Sequence, residues 1–354
     1  MGDKNIKVLI IDDSALVRNV LKRIFDKEPG IEVIGAVIDP IYAIKEIKKQ
    51  RPDVITLDLQ MPRMDGLTFL KKLMKAYPLP VVVVSAKAKK SSEVTLKALE
   101  LGAFDFVTKP EVGIETGINE LSEQIIHKVK SAAKANIKEL SKITRKSQME
   151  DKPKKETSDT MLTSTDKIIC MGASTGGTVA IKNILQPLPA NLPGIIAVVH
   201  MPSGFTASFA KSLDTICSMK VKEAEDREQI VNGVCYIAPG NYHLLVKKRG
   251  SNYYIELNQE PPVRSHRPSI DKAFYSLAEN ASPNSMGIIL TGMVDDGAKG
   301  IKEMYDNGCH TIAQDEETSV VFGMPKQAIK LGGVKKVLPL EKISGAIMNY
   351  VKEN

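Results

Sequence analysis

Five side chains suited to phosphate chemistry follow apolar runs in the first 110 residues. Asp12 and Asp13 follow KVLII, Asp58 follows DVITL, Ser85 ends VVVVS, and Lys109 follows FDFVT. Clustered carboxylates repel one another unless a cation lies between them, and their hard oxygen atoms suit Mg²⁺. With a lysine charge and a hydroxyl alongside, such a cluster can accept a phosphoryl group on one carboxylate. A single Asp after a strand more often caps a helix, but polar groups at four such positions favour a site.

A second set of reactive side chains lies beyond residue 170. Ser174 lies in the glycine-rich segment GASTGG, His200 ends GIIAVVH, and Asp296 ends MGIILTGMVDD. Glycines permit a sharp strand-to-helix turn that exposes a hydroxyl, and the first N–H groups of the helix can hold an oxyanion. A nucleophile, a base and an acid at three strand ends suit acyl transfer by a Ser–His–Asp triad.

Two other interpretations of GASTGG stay open from this segment alone. It is a poor match to a dinucleotide-binding loop, because Ser174 lies where a glycine is needed and no acidic residue follows about 20 positions later. It also fits a plain tight turn. Asp295 precedes Asp296 directly, so either acid can be the one that orients His200, although the Asp-Gly pair favours Asp296.

The elements that must position the first set alternate between short strands and amphipathic helices. Apolar, β-branched runs predict strands at 7–12, 31–37, 53–58, 81–85 and 104–108. Helical patterns lie between them, over Ala15–Lys27, Ile41–Lys49, Leu67–Ala76 and Ser91–Leu101. Continuous apolar strands separated by helices predict a doubly wound, five-stranded parallel α/β sheet of flavodoxin-like type. The carboxyl ends of its strands would bring the polar groups to one edge.

The elements around the second set also alternate. Apolar runs at 167–172, 194–200 and 286–292 predict buried parallel strands. The segments VCYIAP, HLLVKK and YYIEL, within 234–257, are shorter and are joined by turn residues, which predicts an antiparallel hairpin. We therefore expect a second doubly wound, mostly parallel α/β domain of hydrolase type, with the hairpin appended to it.

A charged segment poor in apolar residues divides the chain. Of the net charge of +7, +5 falls in residues 128–160, and DKPKKETSDTMLTSTD has too little apolar surface to order itself. Apolar residues at helical spacing predict a helix over 118–147 that leads into this segment. We predict a first domain at 1–127, a helical extension and linker at 128–164, and a catalytic domain at 165–354.

The first part of the chain closely resembles the receiver domain of bacterial response regulators. The segments IIDDSALVR, DVITLDLQMPRMDG, VVVVSA and FDFVTKP carry the resemblance, over about residues 5–125. It implies that Asp58 accepts phosphate from a partner histidine kinase. It also implies that Asp12, Asp13, Asp58 and the backbone carbonyl of Gln60 hold Mg²⁺.

The second part closely resembles the catalytic domain of the chemotaxis protein-glutamate methylesterases. The segments GASTGG, VVHMPSGFT, PPVRSHRPSID, LTGMVDDGAKG and VVFGMPKQA carry the resemblance, over about residues 165–352. It implies hydrolysis of glutamate γ-methyl esters on the cytoplasmic helices of chemoreceptors, and deamidation of specific receptor glutamines. Ser174 matches the nucleophile, His200 the base and Asp296 the second acid.

Other residues are assigned less directly by this resemblance. The backbone N–H groups of Thr175 and Met293 are the expected oxyanion donors. His266 and Arg267 are expected to line the substrate pocket, and a salt-bridged loop is the alternative for them. The family pattern T-G-M-G-x-D-G has one departure here, because Val294 stands where a glycine is usual.

Together the two resemblances predict a hydrolase that phosphorylation activates. Lys109 is expected to pair with the phosphoryl group on Asp58, and Ser85 to report its presence. The receiver family also implies a cis bond between Lys109 and Pro110. We expect the receiver to inhibit the catalytic domain by covering Ser174 until Asp58 is phosphorylated, with its helices near Ser85 on the docking face.

Composition argues against several other classes of protein. The regions on either side of the linker are nearly neutral and aromatic residues make up only 5%, so we expect no nucleic-acid binding, against the alternative of a DNA-binding output domain. No apolar run approaches about 20 residues, and the N-terminus lacks a signal-peptide core. We expect a cytoplasmic monomer with no membrane insertion. The four cysteines are scattered, which argues against a disulfide scaffold or zinc site.

Overall fold

A computed structural model describes residues 5–86, 89–109, 115–137 and 164–353. The chain forms two compact units, Met1–Arg145 and Lys146–Asn354. The domain boundaries expected at residues 127 and 165 stay predictions. Among the described residues, no helix combines the length and the apolar character that crossing a membrane requires.

The first unit is built on one parallel sheet of five strands in the order β2-β1-β3-β4-β5. This order is the doubly wound arrangement predicted from the sequence, in which a ligand site lies at the carboxyl ends of the strands. Its elements are β1 (Ile6–Ile11), α1 (Ala15–Asp26), β2 (Ile31–Val37), α2 (Pro40–Lys49), β3 (Val54–Leu57), α3 (Gly66–Ala76), β4 (Val81–Ser85), α4 (Lys89–Glu100), β5 (Asp105–Thr108) and α5 (Glu115–Ala132).

Short polar side chains start the first three of these helices. The hydroxyl of Ser14 accepts from the N–H of Val17 at the start of α1, and Asp39 and Asp65 cap α2 and α3 in the same way. Such caps satisfy N–H groups that have no partner inside the helix. The loops after β1 and β3, which carry Asp12 and Asp58, therefore lead directly into well-defined helices.

The second unit contains a seven-stranded sheet in the order β14-β13-β12-β6-β7-β9-β8, and a separate antiparallel pair, β10-β11. All neighbours in the larger sheet are parallel. Its elements are β6 (Ile168–Ala173), α6 (Gly177–Leu185), β7 (Gly194–Val199), α7 (Phe205–Asp214), β8 (Lys220–Glu223), β9 (Val234–Ile237), β10 (His243–Arg249), β11 (Asn252–Asn258), α8 (Ile270–Asn280), β12 (Ser285–Ile289), α9 (Ala298–Asp306), β13 (His310–Gln314), α10 (Met324–Lys330), β14 (Lys336–Leu338) and α11 (Leu340–Lys352).

The hairpin prediction is wrong for one of its three segments. HLLVKK and YYIEL form the antiparallel pair β10-β11, but VCYI forms β9, which lies between β7 and β8 in the parallel sheet. All four residues of β9 are buried, as expected for a strand covered on both faces. The sequence analysis also did not identify β8, β13 and β14.

The helix predicted over 118–147 is also different in the structure. Helix α5 ends at Ala132, and the N–H groups of Lys134 and Ala135 donate to carbonyls three residues back, at 3.1 and 3.2 Å. Bonds of this kind tighten and end a helix. The last buried side chain on the helix is Ala132, and none of residues 133–137 is buried. Residues 138–147 of the prediction lie outside the described residues.

All four cysteines lie in the second unit and all are buried: Cys170, Cys217, Cys235 and Cys309. Burial in an apolar interior disfavours the thiolate. It raises the pKa of Cys217 to about 12 and holds the pKa of Cys235 well above its usual value. These side chains pack as small apolar groups.

Gly172 lies where strand β6 meets helix α8, and we predict that a methyl group added there destabilises the protein. A Cβ at Gly172 would lie 2.3 Å from Cγ2 of Ile270, a buried branched side chain that has no space to withdraw. Gly172→Ala should cost about 1–3 kcal/mol, as overpacking of a core does. Urea unfolding of the full chain measures the change.

The matched control is the same substitution on an open surface of the same unit. Gly345 lies in α11, and nothing lies within 4 Å of a Cβ there. Gly345→Ala should raise stability by about 0.5–1 kcal/mol, because alanine favours a helix over glycine. Equal effects of the two substitutions would contradict the close packing of β6 on α8.

Candidate active site and phosphoacceptor site

The predicted phosphate-binding residues converge at the carboxyl edge of the first sheet. Lys109 Nζ lies 2.7 Å from Asp58 Oδ2 and 2.9 Å from Asp12 Oδ2. Both residues are buried, Asp58 at 5% and Asp12 at 1% exposure. Burial lowers the pKa of Lys109, but its hydrogen bonds to Asp58 and Asp12 outweigh burial and the net pKa is raised. The lysine therefore stays charged and holds the two carboxylates together.

A small divalent cation suits the donor set around Asp58. Ligand atoms of Asp12, Asp13 and Asp58 all lie within 4.8 Å of one another. Burial is the largest cause of the raised pKa of Asp12, and the neighbouring Asp58 raises it further. One lysine cannot neutralise three carboxylates, and oxygen ligands of this kind are those that Mg²⁺ takes. The N–H of Gln60 donates to Asp58 Oδ1 at 3.2 Å, which places the backbone of Gln60 at the same site.

Ser85 lies at the end of β4, in contact with helix α4. Thr95 Oγ1 lies 2.6 Å from Ser85 Oγ, and Ser85 Oγ donates to the carbonyl of Ala86 at 3.3 Å. Both hydroxyls are buried. In this structure the hydroxyl of Ser85 is therefore engaged with Thr95 on α4 and with its own loop. Pro110 lies outside the described residues, so the expected cis bond to it stays a prediction.

The register of the second sheet brings Ser174 and His200 side by side. Ala173 on β6 pairs with Val199 on β7, and the N–H of His200 donates to the carbonyl of Ala173 at 3.2 Å. Ser174 directly follows β6 and His200 directly follows β7, so the two residues leave neighbouring strands at the same level. Gly176, with a φ of 78°, then turns the chain sharply into α6. This is the strand-to-helix turn predicted from the glycines of GASTGG.

His200 and Asp296 form a direct pair. His200 Nε2 donates to Asp296 Oδ2 at 2.8 Å, and the two side chains are 3% and 0% exposed. With Nε2 carrying the proton, Nδ1 carries the lone pair that can accept one. Among the described residues, His200 Nδ1 has no hydrogen-bond partner and is buried from water. Nδ1 is therefore the nitrogen that the predicted base role of His200 would use, whereas the serine-protease template uses Nε2.

Asp296 keeps its negative charge because donors surround it. Burial raises its pKa, but the hydrogen bond and charge of His200 and the N–H groups of Ile270 and Asp271 lower it to about 2 overall. Those N–H groups begin helix α8, and Ser269, the residue before the helix, donates its hydroxyl to Asp296 Oδ1 at 2.9 Å. A helix N-terminus attracts negative charge. The fold thus supplies the environment that a buried aspartate needs.

The structure distinguishes the two adjacent acids. The side chain of Asp295 is 47% exposed, and its Oδ1 lies 2.7 Å from Nε of Arg264. Asp296, the acid favoured by the Asp-Gly pair, is the one that contacts His200.

His266 and Arg267, predicted to line the pocket, lie in different environments. The ring of His266 stacks on His200, with 3.9 Å between ring centroids and 11° between planes. Arg267 instead donates to the backbone carbonyls of Gln259 and Glu260, at 2.8 and 3.0 Å, and thereby braces its own loop. Among the described residues, His266 therefore contacts the triad, whereas Arg267 bonds to its own loop and to Oδ1 of Asn241.

The expected oxyanion donors lie on the two loops that meet at Ser174. Thr175 directly follows Ser174, and Met293 directly follows Gly292. The backbone of Gly292 lies so close to Ser174 that a Cβ added at Gly292 would be 2.8 Å from the Cβ of Ser174. Thr291, which the sequence analysis missed, joins these loops. Its carbonyl accepts from the N–H of Ser174 at 3.0 Å, and its hydroxyl donates to the carbonyl of Thr175 at 3.0 Å. A buried threonine at the end of a predicted strand was the available signal.

Comparison with known proteins decides the family. The family model described as CheB methylesterase matches residues 169–347. The family model described as response regulator receiver domain matches residues 8–119. The chain belongs to the CheB methylesterase family. The predicted family, the receiver sheet and the mostly parallel second sheet are confirmed.

Relatives of this CheB family chain share its whole length. Protein-glutamate methylesterase/protein-glutamine glutaminase 1 of Geobacter metallireducens is 48% identical over 99% of this chain and 98% of its own. Protein-glutamate methylesterase/protein-glutamine glutaminase of Salmonella typhimurium is 49% identical over 96% of this chain and 95% of its own. The crystal structure of the Thermotoga maritima CheB methylesterase catalytic domain is 41% identical, with a TM-score of 0.51, and covers 52% of this chain and 98% of that one. The predicted enzyme class agrees with these names.

Val294 is the departure from the family pattern, and its backbone is strained. Its φ is 62°, in the left-handed region that a branched side chain rarely adopts. The side chain is 36% exposed, and the residue stands between Met293 and Asp295 in the sequence. The loop after β12 therefore keeps the glycine-like conformation without the glycine.

We predict that Val294→Gly stabilises the protein. Relief of the left-handed conformation is worth about 1–2 kcal/mol, and the entropy of glycine returns about 0.5–1 kcal/mol, for a net gain of about 0.5–1 kcal/mol. Urea unfolding tests this, with Val337→Gly as the control. Val337, in β14, is similarly exposed, and its φ is not positive. Its replacement by glycine relieves no strain and should therefore destabilise the protein. A loss of stability in both variants would show that Val294 carries no strain.

We further predict unequal effects of neutralising the two adjacent acids. Asp296→Asn should lower esterase turnover by about 10³- to 10⁴-fold, because an amide no longer selects the tautomer with the proton on Nε2. Asp295→Asn should lower it by less than about 10-fold, since the side chain is half exposed and contacts Arg264. Circular dichroism checks that both variants fold. A greater loss for Asp295→Asn would contradict the assignment.

Proposed function

We propose that this chain hydrolyses glutamate γ-methyl esters on the cytoplasmic helices of methyl-accepting chemoreceptors. One observation carries the proposal: the 2.8 Å bond from His200 to Asp296, with Ser174 on the next strand end. The names of the full-length relatives support the substrate class. A nucleotide-binding regulator or a DNA-binding output domain would give the buried His–Asp pair no role.

The proposed reaction proceeds through an acyl-enzyme. Ser174 Oγ attacks the ester carbonyl while its proton passes to His200 Nδ1, and the proton then leaves with the methoxy group as methanol. A water molecule attacks the acyl-enzyme in the same way, which releases the glutamate carboxylate and restores Ser174. Asp296 stabilises the imidazolium at each stage. The N–H groups of Thr175 and Met293 are the proposed donors to the oxyanion.

The same residues suit deamidation of receptor glutamines. A side-chain amide presents the same carbonyl to Ser174, and the proton on His200 would leave with ammonia in place of methanol. Ester hydrolysis and deamidation therefore both leave a glutamate side chain on the receptor. The relatives' names include protein-glutamine glutaminase.

We also propose that the receiver restrains the hydrolase until Asp58 is phosphorylated by a sensor histidine kinase. Mg²⁺ held by Asp12, Asp13, Asp58 and the Gln60 carbonyl would neutralise the incoming phosphoryl group. Lys109, already 2.7 Å from Asp58, would pair with that group. Ser85 would then exchange its contact with Thr95 for the phosphoryl group. In this proposal the protein acts as a cytoplasmic monomer.

Methanol release from methylated receptor membranes tests the activity and its control in the full-length protein. Acetyl phosphate with Mg²⁺ should raise the wild-type rate by about 5- to 150-fold, the usual range of allosteric coupling. Ser174→Ala should release no methanol, because the hydroxyl that attacks is gone. Asp58→Asn should stay at the basal rate with and without acetyl phosphate.

Matched substitutions on the surface keep this test specific. Ser251→Ala, in the exposed β10-β11 turn, and Asp26→Asn, at the exposed end of α1, should behave as wild type. Methanol release by Ser174→Ala would overturn the nucleophile. An unchanged wild-type rate with acetyl phosphate would overturn control by Asp58 but not the esterase.

A further inference from the structure

A strained two-residue turn lies against the triad. Val263 and His266 exchange backbone hydrogen bonds at 3.0 and 2.8 Å, and the residues between them, Arg264 and Ser265, have φ of 48° and 63°. Positive φ at both central residues is the pattern of a type I′ turn, which normally takes Asn-Gly. Two consecutive residues other than glycine persist in this conformation only where their surroundings fix them.

Arg264 is fixed by the acidic groups behind the triad. Its Nη1 lies 2.9 Å from Asp271 Oδ2 and its Nε 2.7 Å from Asp295 Oδ1, and Nη1 is 4.0 Å from Asp296 Oδ1. Asp271 is buried and also accepts from the N–H of Gly300 at 2.7 Å. Burial and the charge of Asp296 raise the pKa of Asp271, so a cation is needed between these acids. The guanidinium supplies it and holds the turn in place.

The same turn carries His266 onto His200. Their rings lie 3.9 Å apart and nearly parallel. Asp296 fixes one nitrogen of His200, but a single hydrogen bond still allows the ring to tilt about it. A second ring stacked on its face limits that tilt, and so fixes the direction of the lone pair on Nδ1.

The loop that bears the turn is closed at its base. His243 is fully buried; its Nδ1 accepts from the N–H of Ser269, and its Nε2 donates to the carbonyl of Pro261, each at 3.1 Å. Arg267 adds bonds to the carbonyls of Gln259 and Glu260. The loop between these anchors has little freedom, so the strain of the turn is not relieved by movement of its ends.

We propose that Arg264 and His266 are positioning residues for His200. Arg264 locks the turn to the acids behind the triad, and the turn presses the ring of His266 against the base. This inference rests on the proposed function only in that Ser174 is the nucleophile and His200 its base. The competing role for His266 is direct contact with substrate, as expected from the sequence.

Labelling of Ser174 by a fluorophosphonate in the full-length protein, with acetyl phosphate and Mg²⁺ present, measures the nucleophile without the receptor. His266→Ala should slow labelling by about 10- to 100-fold, the effect of a displaced catalytic group. His266→Phe should recover most of that rate, because a flat ring still stacks on His200. Arg264→Gln should slow labelling by a similar factor, and Arg264→Lys by less.

Arg227→Gln is the matched control for Arg264. Arg227 also has a positive φ, of 62°, and also pairs with an aspartate, but its side chain is 82% exposed. It should label at the wild-type rate. Thermal unfolding of each variant shows whether it folds. If Arg264→Gln does not fold, the comparison of His266→Ala with His266→Phe tests the positioning role by itself.

Ester hydrolysis on receptor membranes then separates the two roles of His266. A positioning residue lowers kcat and leaves KM near the wild-type value, with His266→Phe close to wild type. Loss of activity in His266→Phe equal to that in His266→Ala, together with a raised KM, would overturn the proposal in favour of substrate contact. Labelling of His266→Ala or Arg264→Gln at the wild-type rate would also overturn it. If the wild type itself releases no methanol from these membranes, the proposed function fails first.

Discussion

The catalytic unit depends on a negative charge that is completely removed from water. An ionised carboxylate is costly to bury unless every lone pair meets a donor. Asp296 meets the cost with the first N–H groups of helix α8, the hydroxyl of Ser269 and the imidazole of His200. These partners come from two elements, the start of α8 and the end of β7, so both must meet the loop after β12 before the charge is stable. The contacts that orient His200 are therefore also contacts that stabilise the fold.

The receiver meets the same difficulty in a different way. Asp12 and Asp58 are buried close together, and the mobile cation of Lys109 balances them in place of a helix N-terminus. A lysine at 21% exposure can exchange one oxygen ligand for another with little rearrangement of the backbone. The hydrolase site holds its carboxylate permanently, whereas the receiver site holds its carboxylates in a form that can be modified. This difference suits a fixed catalyst joined to a reversible switch.

Much of both sites was predictable because parallel strands bring their carboxyl ends to one edge. Apolar runs ending in Asp58, Ser174 and His200 located those residues directly. The sequence could not place VCYI, because turn residues after a buried strand resemble those of a hairpin. It also gave no sign of β8, which is short and mostly charged, or of β14, which has only three residues. It also could not reveal Arg264. A turn with positive φ normally announces itself by Asn-Gly, and here the signal is absent because ion pairs, not local propensity, enforce the conformation.

The burial of every thiol in the second unit has a consequence for the conditions under which the protein works. Oxidation and alkylation require a thiolate that a reagent can reach, and Cys217 and Cys235 offer neither access nor charge. In the proposed mechanism the nucleophile is a serine hydroxyl, which reagents for thiols do not attack. A thiol-alkylating agent should thus leave the hydrolase intact, and its response to phosphorylation does not depend on the chemistry of its cysteines.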